Sequence, residues 1–384
     1  MTSQIPESYD EPSHKPHSSG IVSIIMKNRL RKIIFLGVVS FLIFSVIITT
    51  VILIVFLPRS HSGYLETTTP SKSSFTTTIP FGHIDCTPNQ TSTFFFAYSN
   101  DLTPDQVLNT WHTLRNNSQG SYDIYSYARF DVNSDFKNHA YSSSIENIED
   151  DIKSDLPDPK ESYPRYYFGS NILTCIRDMF MSDINLCGAK MYFLVKRLPN
   201  DTDVSDLVDL LGTFHISVTF VVSEKPSGGM NQQVLYTLAT KTNGICIFAE
   251  DYMLQETPTW LPSIWPLYLV YSVNAEVKST GSLTLPVFNS SLAGDYHICM
   301  TLQDHGTIDI LGLIDKWNCR SLGKIQNGAF DMGNTTYIIK GPYTLNAVPY
   351  NMTLGFEYSD YEINILLIRI YSVSAVDFWV PYNN

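Results

Sequence analysis

The sequence predicts an α/β, doubly wound domain with a mostly parallel sheet, then an all-β sandwich, both carried behind one N-terminal transmembrane helix. Three observations predict this. The run Ile33–Leu57 is uncharged, with Ser40, Ser45, Thr49 and Thr50 as its only polar residues. Short apolar runs alternate with amphipathic helical stretches from Thr93 to Ala249, the pattern of parallel strands joined by right-handed crossovers and covered on both faces. Beyond residue 271 the texture changes to strands and turn signals with no helical period of useful length. The expected organisation is a cytoplasmic tail at 1–32, the span at 33–57, a stalk at 58–80, the α/β domain at 81–270 and the sandwich at 271–384.

The span amounts to about 37 Å of helix at 1.5 Å per residue, more than the ~30 Å hydrocarbon core of a bilayer. It is longer, and lies further from the amino end, than the apolar region of a cleaved signal peptide. Lys27, Arg29, Arg31 and Lys32 precede it, and only Arg59, with His61 nearby, follows. That asymmetry keeps the amino end in the cytoplasm and predicts a type II signal anchor in the plasma membrane with the C-terminal domains outside. The sequons at Asn89, Asn116, Asn200, Asn289, Asn334 and Asn351 all fall after the span, as a glycosylated exterior requires. The six cysteines, Cys86, Cys175, Cys187, Cys246, Cys299 and Cys319, do so too. An oxidising exterior allows three disulfides in fifteen pairings. Shared domains and flanking positions favour Cys299–Cys319 and Cys175–Cys187, leaving Cys86–Cys246. The net charge of −12 excludes nucleic acid and anionic surfaces as partners.

Ser and Thr dominate 60–80, with Pro70 and Pro80 interspersed, a composition that cannot bury a core and reads as an O-glycosylated stalk. The first strand is Thr93–Ser99 (TFFFAYS), and Thr103 with Pro104 opens the helix that follows. Val107, Leu108, Trp111 and Leu114 share that helix's apolar face. Strand 122–130, a helical insert at 145–154 and the stripe Ile172, Cys175, Ile176, Phe180 come next. Strands at 191–196, 216–222 and 245–249 then alternate with helices at 204–211 and 232–240. Pro258, Pro262 and Pro266 forbid a regular helix at 256–270, yet Trp260, Leu261, Trp265 and Leu267 make it a packed joint. The sandwich strands are expected at 281–287, 296–302, 336–340, 352–358 and 363–371.

Four stretches carry a resemblance. TFFFAYSNDLTPDQV at 93–107 is similar to the opening of the von Willebrand factor A fold. With TGSLTLPVF at 280–288, GDYHICMTLQDHG at 294–306 and IRIYSV at 368–373, the chain resembles a group of nematode type II membrane proteins. In those, a degenerate A-like domain precedes a β-rich, CUB-like one. The resemblance implies a metal site of the form D-x-S-x-S, completed by a Thr and an Asp from later loops. Here that register reads Ala97, Ser99 and Asp101, the Thr loop offers Ser170, and the last Asp gives way to Lys196-Arg197. A hard cation needs oxygen ligands in near-octahedral array, and this set has lost its leading carboxylate and gained two cations. The expectation is a degenerate site with no metal and no cofactor.

Catalytic motifs are absent from the sequence: there is no G-x-S-x-G, H-E-x-x-H, P-loop or G-x-G-x-x-G. Asp201-Thr-Asp203 follows an apolar strand, the arrangement of metal-using Golgi glycosyltransferases, which share the type II layout. The same residues also serve as the cap of the helix at 204–211. The function expected is recognition or adhesion at the cell surface, without catalysis, toward an extracellular protein or glycan. A Golgi transferase using Asp201 and Asp203, or a structural surface protein with no discrete ligand, is the alternative.

Overall fold

The structure, a computed structural model, describes residues 86–382 apart from 89–91, 134–137, 262–266, 303–312, 320–322, 331–336 and 358–362. The expected span at 33–57, the tail and the stalk lie outside the described residues. Among the described residues no helix is long and apolar enough to cross a membrane. Pro80–Asn384 forms one compact unit.

The first half is a six-stranded sheet of order β3-β2-β1-β4-β5-β6. Its strands are β1 (Thr93–Ser99), β2 (Ile124–Phe130), β3 (Asn138–Ser142), β4 (Lys190–Val195), β5 (Ser217–Ser223) and β6 (Ile245–Ala249). All pair in parallel except β3, an antiparallel edge on β2. This is the doubly wound order, with the chain reversing its direction of travel between β1 and β4. The sheet is buried on both faces, so its strands are continuous apolar runs rather than alternating ones. Phe94, Phe96 and Tyr98 of β1 pack under α1 (Pro104–Ser118) and α2 (Ile145–Ser154). Phe95 and Ala97 face α3 (Ile172–Met179), α4 (Ser205–Thr213) and α5 (Gln233–Lys241). The period of two along β1 therefore divides one apolar run between two cores.

Thr103 caps α1 as its sequence requires: Thr103 Oγ1 accepts from the Gln106 N–H, and Gln106 Oε1 accepts from the Thr103 N–H at 2.9 Å. Thr103→Ala is expected to lower the unfolding free energy by about 1 kcal/mol, read from the urea midpoint at unchanged slope.

Eight strands follow: β7 (Tyr268–Val277), β8 (Thr280–Asn289), β9 (Gly294–Leu302), β10 (Leu313–Cys319), β11 (Gly323–Phe330), β12 (Tyr337–Leu345), β13 (Pro349–Glu357) and β14 (Asn364–Ser372). They form two four-stranded sheets, β11-β10-β13-β8 and β12-β9-β14-β7, antiparallel throughout. Leu285, Phe288, Met352 and Leu354 from one sheet and Tyr271, Ile298, Ile368 and Ile370 from the other share one core.

The two halves are joined by more than the chain. Cys299 of β9 and Tyr371 of β14 enter the core beneath α1, beside Leu261 and Leu267. Arg369, wholly buried, donates to the Asn243 carbonyl at 3.2 Å, the Val273 carbonyl at 3.0 Å and Asn274 Oδ1 at 2.9 Å. Burial pushes its guanidinium down to about 10. The segment after β14 turns back to the α/β sheet, where Trp379 stacks on His215 at 4.5 Å and its indole N–H donates to the Cys86 carbonyl at 3.2 Å.

The disulfide is Cys86–Cys187, not the expected Cys86–Cys246 or Cys175–Cys187. Sheet order explains the correction: Cys86 precedes β1, Cys187 precedes β4, and these strands are neighbours. Cys246 lies inside β6, a buried thiol at the far side of the sheet. Cys299 is likewise a buried thiol, pushed by burial up to about 12, so the Cys299–Cys319 pairing is also corrected.

Candidate functional site

In a doubly wound sheet, ligands bind beyond the carboxyl ends of the strands where the winding reverses. Here that point lies between β1 and β4. The loop after β1 carries Ser99, Asn100 and Asp101, and the loop after β4 carries Lys196 and Arg197. Every position read as a degenerate ligand is brought to this end of the sheet or to the strand leading into it.

Ala97, at the leading position, is wholly buried in the apolar core. Ser99 donates to Asp131 Oδ2 at 2.5 Å. Ser170, itself buried, is a second hydroxyl partner of the Asp131 carboxyl. Asp101 is held by Arg197, whose Nε lies 2.7 Å from Asp101 Oδ2, the Arg197 side chain being 3% exposed and that of Asp101 6%. Ser227 also donates to Asp101. The rest of the Arg197 fork donates to the carbonyls of Phe168 at 2.9 Å, Arg165 at 3.1 Å and Tyr163 at 3.4 Å. Its guanidinium lies over the Tyr163 ring at 5.5 Å.

The donor set does not fit a divalent cation. The oxygen that should lead it is a methyl group, Ser99 and Ser170 are spent on Asp131, and a guanidinium neutralises Asp101. Arg197 itself occupies the role a hard cation would fill, gathering one carboxylate and three carbonyl oxygens. Lys196 is directed elsewhere, with its Nζ 2.6 Å from Asp251 Oδ2 and 3.0 Å from Ser223 Oγ. Among the described residues no group of three His, Cys, Asp or Glu could hold a metal.

Two further features of the site escape a reading of sequence alone. Asp131 has φ +64°, and its N–H donates to Asn171 Oδ1 at 2.7 Å. Burial pushes its carboxyl up to about 7 against the pull of the Ser170 and Ser99 hydrogen bonds, with Asp101 adding to the rise and Arg197 opposing it. The other feature is Gly228-Gly229. A Cβ at Gly228 would lie 2.3 Å from Arg197 Nη1, and Gly229 has φ +73° with the Leu198 carbonyl where a Cβ would be. The backbone can pass this close to the guanidinium only without side chains.

The Asp131 carboxyl makes a sign-definite prediction. Its folded pKa lies above the unfolded value, so its contribution to stability is complete below about pH 4 and is lost as pH rises through about 7. In that window wild type is expected to lose up to about 4 kcal/mol relative to Asp131→Asn. Urea unfolding of both proteins between these limits checks it, and parallel pH profiles would refute it.

Asp201 and Asp203 lie exposed on the loop before α4. Asp203 Oδ1 accepts from the Ser205 N–H at 3.0 Å and Oγ at 2.8 Å, a capping arrangement. The Asn200 side chain, a sequon position, donates to the Tyr167 carbonyl at 2.9 Å. Asn116, Asn200 and Asn289 are exposed, Asn351 is half-buried, and Asn89 and Asn334 lie outside the described residues.

Above the Arg197 pair the surface is aromatic. Tyr166, Tyr167 and Phe168 are 76%, 44% and 41% exposed, and Met230 stands 76% exposed just past Gly229. The Gly229 N–H donates to the Tyr166 carbonyl at 2.8 Å, tying the glycine pair to the aromatic loop.

Residues 273–373 match a family described as Domain of unknown function (DUF7154). This stretch covers most of the antiparallel strands and none of the site above. No curated protein matches the chain. Among solved structures, the chain is similar to a von Willebrand factor type A protein from Catenulispora acidiphila at 8% identity and TM-score 0.31, covering 75% of this chain and 59% of that one. It is similar to the conserved hypothetical protein BatB from Bacteroides thetaiotaomicron at 11% identity and TM-score 0.29, covering 44% and 96%. The SpRpn10 VWA domain gives 10% identity and TM-score 0.32, covering 46% and 98%. With TM-scores below 0.5 these likenesses carry no argument, and the sheet itself shows a doubly wound α/β order.

Proposed function

We propose that the chain is a cell-surface recognition protein whose A-like domain binds an extracellular protein or glycan without a divalent cation and without catalysis. In this reading the span at 33–57 anchors it as a type II protein, and the β-sandwich completes the exterior portion. The observation that carries the proposal is the Arg197–Asp101 pair at the switch point. A fixed internal cation replaces an exchangeable one, and its remaining donors hold the carbonyls of the loop that displays Tyr166, Tyr167 and Phe168. Aromatic side chains offer large contact area at low entropic cost, and holding their backbone in advance lowers the cost of binding.

The test is adhesion of cells expressing the full chain to a cell monolayer, with and without EDTA. Adhesion is expected to survive the chelator and to fall about tenfold in a Tyr166→Ser/Phe168→Ser variant that still reaches the surface, about 1.4 kcal/mol of binding. Antibody staining of unpermeabilised cells supplies the location. Loss of adhesion in EDTA, or staining confined to permeabilised cells, would sink the proposal.

A further inference from the structure

At the other end of β4 from Arg197 lies a cavity of about 140 Å³. The starts of β4 and β5 meet β7, β14 and the returning C-terminal segment there. Tyr268, Tyr371, Phe378 and Trp379 line it, so much of its wall is aromatic ring. That wall is fixed before any ligand arrives. Trp379 stacks on His215 at 4.5 Å, and Asn243 Nδ2 donates to the carbonyls of Val380 at 3.1 Å and Pro381 at 3.3 Å. These contacts pin the C-terminal segment against the sheet, which lowers the ordering cost of binding.

We propose that this cavity binds a neutral, single-ring phenol, its ring against the tyrosine and tryptophan walls and its hydroxyl on Ser92. Size sets the first limit. An apolar cavity of about 150 Å³ takes up benzene, so this one suits one ring with one small substituent. Charge sets the second. None of the described lining residues is acidic, and Lys190 is already engaged. Its Nζ donates to the Leu267 carbonyl at 2.7 Å, and the residue has a further interaction besides. An ionised ligand would enter without a free counter-charge, and burying an unpaired charge costs far more than burying a neutral ring.

Hydrogen bonding sets the third limit. Asn243 Oδ1 accepts from Ser272 Oγ at 2.7 Å while its Nδ2 holds the C-terminal segment, and the Trp379 indole is spent on the Cys86 carbonyl. Ser92 is different. It lines the cavity, is 5% exposed, and its Oγ has no hydrogen-bond partner among the described residues. A hydroxyl both donates and accepts, so one phenolic hydroxyl would satisfy it in either sense. Rings in the wall and a single polar group are the pattern of a site that holds a mostly apolar ligand in one orientation.

The experiment is equilibrium dialysis of the purified full-length chain in detergent against phenol, fluorobenzene and benzoate, with detergent alone as the blank. At about pH 7.5, where phenol is neutral and benzoate ionised, phenol is expected to bind at least about tenfold tighter than benzoate. It should bind about fivefold tighter than fluorobenzene, the worth of one hydrogen bond. Ser92→Ala should erase the preference for phenol over fluorobenzene and leave fluorobenzene affinity unchanged. Ser217→Leu, which adds bulk to the wall at the start of β5, should abolish binding of all three while the urea midpoint shows the chain folded. The comparison of phenol with benzoate needs no variant. No saturable phenol binding, benzoate binding as tightly as phenol, or phenol affinity unchanged in Ser92→Ala would overturn the proposal. Chelator-resistant adhesion belongs to the other end of the sheet, so failure here leaves that reading intact, and the reverse also holds.

Discussion

Arg197→Met is expected to cost about 3–5 kcal/mol of stability, the range for breaking a buried ion pair by removing one partner. Asp101 would remain nearly inaccessible, with Ser227 and its own loop as neighbours and no counter-charge. Three loop carbonyls would lose their donor at the same time. Arg197→Lys is expected to rescue little, because a single ammonium cannot reach along the fork from the carboxylate to Phe168 and Tyr163. Arg197→Met/Asp101→Asn should be more stable than Arg197→Met alone, since it removes the stranded charge, and the double-mutant cycle measures the coupling. Urea unfolding gives the energies. Chymotrypsin adds a local readout, because the loop at 163–168 should become cleavable after its aromatics before the rest of the chain unfolds. Addition of magnesium or manganese should leave all four proteins unchanged. An Arg197→Met protein as stable as wild type, or one rescued by a divalent ion, would show that the guanidinium does not hold this end of the sheet.

What made this site legible was local. The register Ala97, Ser99, Asp101 could be read because a strand, a loop and a capped helix follow one another within a dozen residues, each with its own signal. The two cations at 196–197 were visible as residues that disfavour a metal, but their division of labour was not. Arg197 turns to Asp101 and Lys196 to Asp251, and only the sheet order, with β1 on one side of β4 and β5 then β6 on the other, brings these two carboxylates to opposite sides of the β4 end. The role of Asp131 beside the serines could not be read from sequence, since it and its two serine partners come from three separate loops. Strand β3 was missed because an exposed antiparallel edge such as NHAYS has too few apolar residues to announce itself. The α/β order was plain because strands buried on both faces are apolar without interruption. In the antiparallel half, β7 was obscured by Ser272, Asn274 and Glu276, polar at alternate positions beside a run already assigned to the joint. The buried Arg369 and the cavity around Lys190 run against composition altogether, because a sequence marks a cation as surface until tertiary packing shows its carbonyl partners.

Removing the Cys86–Cys187 bond is expected to be the other large effect. The bond closes a loop with a sequence separation of 101 residues, for which the chain-entropy account gives about 4–5 kcal/mol. The loop spans β1, β2 and β3 with α1, α2 and α3, so the cross-link restrains half of the doubly wound sheet in the unfolded chain. Cys86→Ser/Cys187→Ser should unfold at lower urea concentration by that amount. The two serines leave a gap near Trp379, whose indole donates to the Cys86 carbonyl, so some packing loss adds to the entropic term. Reduction of the wild-type protein is expected to reproduce the variant's midpoint, whereas reductant should not move the variant itself. The comparison also bears on compartment. A protein that depends on this bond needs an oxidising environment to persist, so wild type expressed in a reducing cytosol should resemble the double serine variant in yield and protease sensitivity. Equal stability of wild type, reduced wild type and variant would mean that the sheet holds itself together without the bond, and would remove this support for an exterior location.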